Sequence, residues 1–327
     1  MSHDPVDRQP LSRSLSLGPV APESQNRSSV APGAALAFAL GAVALWATNA
    51  LVGKTLLALY PVSQVQFLQF CGAAMVFALI RLTSTPPFPV VGEGGSALAA
   101  YLVGFVGLVG TMVLQYIGFA SMPVIEANLV AYTWPLMTAA AVILLGRPRR
   151  PLLLGLAAAL GFVGVALVIS GGRAQTWFQG GSLVGYLAAF GSALCMAFYS
   201  LAVGRLAVSP ERLLLPSALI GVALTFAWCL HDGVVRPTGA HLLLGLYLGA
   251  GPMGLGYYFW SRAAKLDHGG RIAVVAYLTP IASTFLLTLS GESLSMTAVA
   301  GAVLVIGSCL AVGVEGTETR NDVQDGR

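Results

Sequence analysis

Ten apolar runs of roughly membrane-crossing length constrain this chain more than any other feature, near 33–56, 62–80, 97–119, 123–145, 152–170, 182–204, 213–230, 240–264, 271–290 and 295–314. A helix needs about 20 apolar residues to cross the hydrocarbon layer. Hydrophobic residues make up 56% of the sequence and charged ones only 9%, where a soluble domain carries about 25% charged. The expected fold is therefore an all-α membrane protein of ten transmembrane helices.

Charge placement gives the expected orientation. With a cytoplasmic N-terminus, the inner segments hold fourteen basic residues, Arg8, Arg13, Arg27, Arg81, Arg147, Arg149, Arg150, Arg205, Arg212, Arg262, Lys265, Arg271, Arg320 and Arg327. The outer segments hold three, Lys54, Arg173 and Arg236. A miscounted span would swap the sides downstream and spoil that bias. The net charge of +4 then reports orientation and not nucleic-acid binding.

Residues 1–32 are rich in Ser and Pro without apolar periodicity and read as a disordered cytoplasmic tail. The run at 33–54 is too long, and its leader too unlike a short basic one, for a cleaved signal peptide. Residues 315–327 are expected as a cytoplasmic C-terminal tail. Cys71, Cys195, Cys229 and Cys309 lie within apolar runs without metal-type spacing, as buried free thiols would.

The hexapeptide AYTWPL at 131–136 returns as AYLTPI at 276–281. Aligning Pro135 with Pro280 also aligns Tyr132 with Tyr277 and Gly146 with Gly291, and Gly53-Lys54 matches Gly204-Arg205 at the ends of spans 1 and 6. Two five-helix repeats follow, 33–171 and 181–314. An odd number of spans per repeat makes the second enter the membrane from the opposite side, so the halves are expected as inverted repeats around a central cavity. Arg147 beside Gly146 is replaced by Glu292 beside Gly291, as expected if only one of the two equivalent loops faces the cytoplasm.

Pro135 and Pro280 each remove a helix hydrogen bond at corresponding places, predicting helix kinks around a common centre or, alternatively, simple shaping of packed helices. Asn128 and Tyr132 share one face of span 4, with Trp134 on an adjacent face. Trp46 and Asn49 share a face of span 1, span 3 offers Gln115 and Tyr116, and Tyr277 is the repeat partner of Tyr132. Amides and aromatic rings at mid-depth face protein or a cavity, so these eight residues are the candidate substrate-binding set. For Asn128 an interhelical hydrogen bond is the competing reading.

Tyr257, Tyr258 and Trp260 read as interfacial anchors at the inner boundary ahead of the alternative of cavity ligands. Gln64, Gln66 and Gln69 fit an outer vestibule or packing contacts. Glu126 fits proton coupling, a contact for a substrate amine or, more ordinarily, a solvated acid favoured by a helix N-terminus. The glycines at 249, 251 and 254 form G-x-G-x-x-G within an apolar run that follows no strand, which removes the nucleotide reading. No hydrolase or zinc-protease motif and no paired intramembrane carboxylate supports an enzyme, a metal site or a cofactor.

The segments WATNALVGK in span 1, YTWPLMTAAAVILLG in span 4 and AYLTPIASTFLLTLSGE in span 9 resemble the drug/metabolite transporter superfamily, in its EamA-type members of two five-helix repeats. The run EANLVAYTWP at 126–135 is most similar to the bacterial aromatic amino acid exporters. That resemblance implies efflux of aromatic and other neutral amino acids across the inner membrane, with Tyr132 and Trp134 in the cavity. The expected partners are a neutral amino acid and the lipid bilayer. Transport of another small metabolite, a membrane-embedded enzyme and a pore stay open as alternatives.

Overall fold

The computed structural model describes residues 33–84, 95–146, 150–170, 182–206, 208–267, 271–289 and 295–324. The tail expected at 1–32, and Arg147, Gly291 and Glu292, lie outside the described residues. Among the described residues all regular structure is helical. Eight helical stretches are long and apolar enough to cross a membrane: Ala34–Leu57, Val62–Thr83, Leu98–Ser121, Glu126–Leu145, Pro151–Ser170, Leu183–Arg205, Pro210–Asp232 and Gly239–Leu266. Two further apolar helices, Ile272–Leu286 and Met296–Ala311, are shorter.

Several stretches are built from two pieces. The first consists of α1 (Ala34–Trp46) and α2 (Asn49–Leu57), joined by a turn at Ala47 and Thr48. α3 is continuous from Val62 to Thr83. α4 (Gly95–Gly104) and α5 (Thr111–Ser121) are joined by a π-helical segment, Phe105–Gly110. α6 (Val124–Ala131) and α7 (Trp134–Gly146) are separated by a turn at Tyr132 and Thr133.

Three long helices follow: α8 (Pro151–Ser170), α9 (Leu183–Arg205) and α10 (Pro210–Asp232). α11 (Gly239–Leu248) and α12 (Gly256–Leu266) flank a second π segment, Gly249–Leu255. A 3-10 segment, Arg271–Tyr277, leads into α13 (Leu278–Leu289). α14 runs from Met296 to Gln324, so helix continues through most of the segment expected as a C-terminal tail.

The breaks follow from side-chain chemistry. Proline has no N–H, so Pro135 cannot donate to the carbonyl of Ala131 four residues earlier, and Pro280 cannot donate to that of Ala276. The chain responds by tightening just upstream, where Thr133 N–H bonds the carbonyl of Val130 at 3.1 Å in a three-residue turn. Each proline then stands in the first turn of a new helix, α7 or α13, where its missing donor costs nothing. The expected kink at Pro135 is thus an interruption just upstream of it, and that at Pro280 a change from 3-10 to α-helix between Tyr277 and Leu278. Pro252 sits inside the second π segment, whose widened turn accommodates the lost donor.

Helix pairs pack closely where glycine leaves room. α3 packs on α10 and on the second π segment, α5 on α9, α1 on α12, and α8 on α14. At the α8–α14 crossing, a Cβ on Gly301 would lie 2.5 Å from the carbonyl oxygen of Gly164, and one on Gly164 2.7 Å from that of Gly301. Such backbone approach is how helices associate when lipid supplies no hydrophobic drive between them. Buried residues form three apolar clusters, the largest including Phe70, Leu108, Tyr199, Tyr257 and Trp260. The outer surface carries exposed Leu79, Leu144, Leu152, Leu183 and Val303. An apolar exterior of this extent is that of a multi-pass membrane protein.

Candidate functional site

A cavity of about 890 Å3 lies in the middle of the bundle. The two helix interruptions and the second π segment reach its wall, because Ala131, Tyr132, Pro252, Thr279 and Pro280 all line it. The broken backbone therefore borders a cavity, one of the two settings, with burial in protein, in which irregular structure at membrane depth is tolerated.

Six of the eight residues expected from sequence line the cavity: Trp46, Asn49, Gln115, Asn128, Tyr132 and Trp134. Tyr116 and Tyr277 do not. Tyr116 is fully buried behind the wall, where its hydroxyl donates to Asn49 Oδ1 at 3.1 Å. Tyr277 is also fully buried and packs its ring over Gly161 of α8, where a Cβ would lie 2.5 Å from the ring. Pro280 lines the cavity, whereas Pro135 is buried outside it.

The wall also holds residues that the sequence alone did not single out, among them Lys54, Met112, Ser192, Met196, Met253, Ser283 and Thr284. Thr111 and Thr279 contribute buried hydroxyls with no partner within hydrogen-bonding distance among the described residues. Nothing in a single apolar helix announces such residues, since Ser, Thr and Met are ordinary in membrane spans. Lys54 reads from sequence as a loop charge.

One end of the cavity is closed by aromatic rings. Trp46 stands 5.3 Å from Trp260 and 6.1 Å from Tyr257 between ring centroids, and Trp134 meets Trp260 edge-on at 5.3 Å. Tyr199 stacks obliquely on Tyr257 at 5.4 Å. Polar atoms of these rings are satisfied locally: Trp46 Nε1 donates to the carbonyl of Pro252 at 3.0 Å and Trp260 Nε1 to Ser200 Oγ at 2.9 Å. Gly256 leaves space for the Trp46 indole, since a Cβ there would lie 2.7 Å from Nε1. The anchor role expected for Tyr257 and Trp260 is thereby corrected: both are buried, at 1% and 0% exposure, Tyr257 in the cavity wall and Trp260 in the core behind it. Tyr258 alone of the three is partly exposed, donating to Glu211 Oε1 at 3.0 Å.

Toward its other end the wall is formed by exposed Lys54 and Leu51 and by partly exposed Val124, Thr284 and Ser295. Glu126 is absent from the wall. Its carboxylate is buried and accepts the Tyr186 hydroxyl, so the solvated acid expected from sequence is instead a paired buried one. The glutamines at the start of α3 also pack and do not line a vestibule. Gln64 exchanges two hydrogen bonds with the backbone of Val235, at 2.6 and 2.9 Å, and Gln66 Nε2 donates to Gln69 Oε1 at 2.6 Å.

A multi-helix apolar bundle with a central cavity, polar and aromatic on its walls and sealed by rings at one end, defines a membrane transporter of small solutes. The chain belongs to the EamA-like transporter family, which it matches over residues 33–170 and again over 183–314. It is 29% identical over 279 residues to the aromatic amino acid exporter YddG of Ancylobacter novellus, covering 83% of this chain and 94% of that one. A solved crystal structure superposes with a TM-score of 0.76 at 26% identity, covering 87% of this chain and 97% of the other.

Proposed function

We propose that this transporter exports aromatic and other neutral amino acids across the bacterial inner membrane by alternating access. Two inverted five-helix halves, 33–171 and 181–314, rock about the central cavity, and both termini are cytoplasmic. The observation that carries the proposal is the cavity itself. Its volume falls within the range of about 300–1,000 Å3 typical of small-molecule sites. Trp46, Tyr132 and Trp134 offer flat apolar faces to an aromatic side chain, while Asn49, Gln115 and Asn128 offer amides to the polar end of a zwitterion. The likeness to a relative that exports aromatic amino acids points the same way.

Three features support the two-fold arrangement. The family matches once in each half. The π segments begin at Phe105 and Gly249, and the interruptions fall at Tyr132 and between Tyr277 and Leu278, near-equivalent places in the sequence alignment of the halves. Finally, exchanging spans 1 with 6, 2 with 7, 3 with 8, 4 with 9 and 5 with 10 maps the main helix pairings onto themselves. The α1–α12 pair becomes α9–α5, while α3–α10 and α8–α14 each map to themselves. With the basic residues on the cytoplasmic side, the open end of the cavity, at Lys54 and Ser295, faces outward and the aromatic seal faces the cytoplasm.

Flux of labelled phenylalanine, tryptophan and threonine, with a charged amino acid as contrast, into proteoliposomes of the purified chain tests the proposal. Saturable uptake of the neutral amino acids, lost in Tyr132→Ala and Trp134→Ala proteins that remain folded, is the expected result. Absence of flux for every amino acid in vesicles of folded protein overturns the substrate assignment.

A further inference from the structure

Lys54 is the only charged residue among the described residues of the cavity wall. It sits in the last turn of α2 and is exposed at the open end. No carboxylate shares that wall among the described residues. Glu126, on α6, is buried with its carboxylate bonded by Tyr186, and Glu211 is engaged by Tyr258 and Arg262 elsewhere in the bundle. The ammonium of Lys54 therefore gives the open end of the cavity a positive charge with no carboxylate in the wall beside it among the described residues.

A second group on the same short helix complements it. Asn49 begins α2 and lines the cavity. Its side-chain oxygen already accepts the Tyr116 hydroxyl at 3.1 Å, so its remaining hydrogen-bonding capacity toward the cavity is chiefly the two N–H bonds of Nδ2. Tyr116 is fully buried and its hydroxyl abuts Gly53, where a Cβ would lie 2.8 Å away, so the donor that fixes this amide is itself held in place. Five residues of helix separate Asn49 from Lys54, an axial rise of about 7.5 Å. The two positions are also turned about 140° from each other round the helix, but both side chains line the same cavity, and the long, flexible lysine side chain lets its ammonium reach a carboxylate held by the amide.

We propose that Lys54 and the Asn49 amide form the subsite for the substrate's carboxylate. The cavity then selects aromatic carboxylates, with or without an α-amine, over the corresponding amines. A carboxylate leaving water for a largely apolar cavity needs a compensating charge and donors, both of which are present. An ammonium entering the same space finds hydroxyls and amides and, among the described residues, no anion. This inference rests on the reading of the cavity as the transport site and narrows its substrate class.

The test is titration of the intrinsic tryptophan fluorescence of the purified full chain in detergent, since Trp46 and Trp134 line the cavity. The probes are phenylalanine, 3-phenylpropanoate and phenethylamine. Saturable binding of phenylalanine and 3-phenylpropanoate is expected, with phenethylamine at least about tenfold weaker. Lys54→Gln should weaken both carboxylates about tenfold and leave phenethylamine unchanged, while Lys54→Arg should stay within about threefold of wild type. Unchanged melting temperatures establish that both variants are folded.

Equal binding of phenethylamine and 3-phenylpropanoate overturns the subsite, as does unaltered carboxylate affinity in Lys54→Gln or binding of none of the three probes. The transport reading fails separately. If the carboxylates bind with the stated dependence on Lys54 yet phenylalanine is not carried in vesicles, the amino acid assignment falls and the subsite stands. If phenylalanine is carried equally well by wild type and Lys54→Gln, the subsite falls and export stands.

Discussion

Gly249→Ala perturbs the closest backbone approach to the cavity-bearing π segment. An added Cβ would press on the carbonyl oxygen of Gln69 and lie 2.8 Å from Gly72 Cα and 2.9 Å from Ala73 N. All three atoms belong to the backbone of α3, so no side-chain rotation relieves the contact. Ordinary non-bonded carbon separations are about 3.5–4.0 Å, and the helices must part by roughly 1 Å. Overpacking against backbone alone falls in the upper part of the usual range, about 2–3 kcal/mol, against which the gain in helix propensity returns about 1 kcal/mol. A net loss of about 1–2 kcal/mol follows, or a Tm lower by about 1–3 °C for a chain of 327 residues.

Gly72→Ala attacks the same crossing from the other side, where a Cβ would lie 3.0 Å from Gly249 Cα and from Ala250 N. Its effect should be similar, and the double substitution should cost less than the sum, because one separation relieves both contacts. Gly307→Ala is the control, with nothing within 4 Å of its added methyl, and should be neutral or slightly stabilising. Thermal unfolding in detergent, followed by tryptophan fluorescence, reads all four proteins. A Gly249→Ala protein that melts at or above the wild-type temperature refutes the account of this crossing.

Tyr132→Ala and Trp134→Ala should each reduce phenylalanine flux to background at concentrations that saturate the wild type, and Trp134→Ala should also lose the edge-on contact with Trp260, worth about 0.5–1.5 kcal/mol of stability. Tyr116→Phe removes the donor to Asn49 Oδ1 at a cost of about 1 kcal/mol. The freed amide should raise KM severalfold with little change in maximal flux, and an unchanged KM would count against Asn49 as a contact. Glu126→Gln should retain counterflow within about twofold, because the carboxylate faces Tyr186 and not the cavity. Lost counterflow in a folded Glu126→Gln protein would place that group in the transport cycle.

Span positions are legible in this sequence because the hydrocarbon layer demands long apolar runs. The helix from 62 and the one from 152, for example, fall within a few residues of Val62–Thr83 and Pro151–Ser170. The place of interruption is half legible: Pro135 and Pro280 mark it, yet the helix breaks or changes type just upstream, where tightening releases the carbonyl that proline cannot serve. Side-chain direction is the least legible property. These helices are apolar on every face, so periodicity does not say whether Tyr116 or its neighbour Gln115 meets the cavity, and the structure selects Gln115. Tyr257 and Trp260 have the sequence context of interfacial anchors, and only packing against Trp46 and Tyr199 reveals their place in the core. Lys54 escapes notice for the opposite reason: a lysine at the end of an apolar run has an ordinary explanation until the cavity reaches it.

Counterflow in proteoliposomes tests most directly the central claim that a closed-ended cavity between two halves carries the solute. Vesicles are loaded with unlabelled phenylalanine, and the transient accumulation of labelled phenylalanine from outside is followed. Alternating access predicts saturable uptake with an overshoot that depends on internal substrate and disappears in Trp134→Ala. Uptake that rises linearly with concentration and shows no response to internal substrate would contradict it and identify a pore.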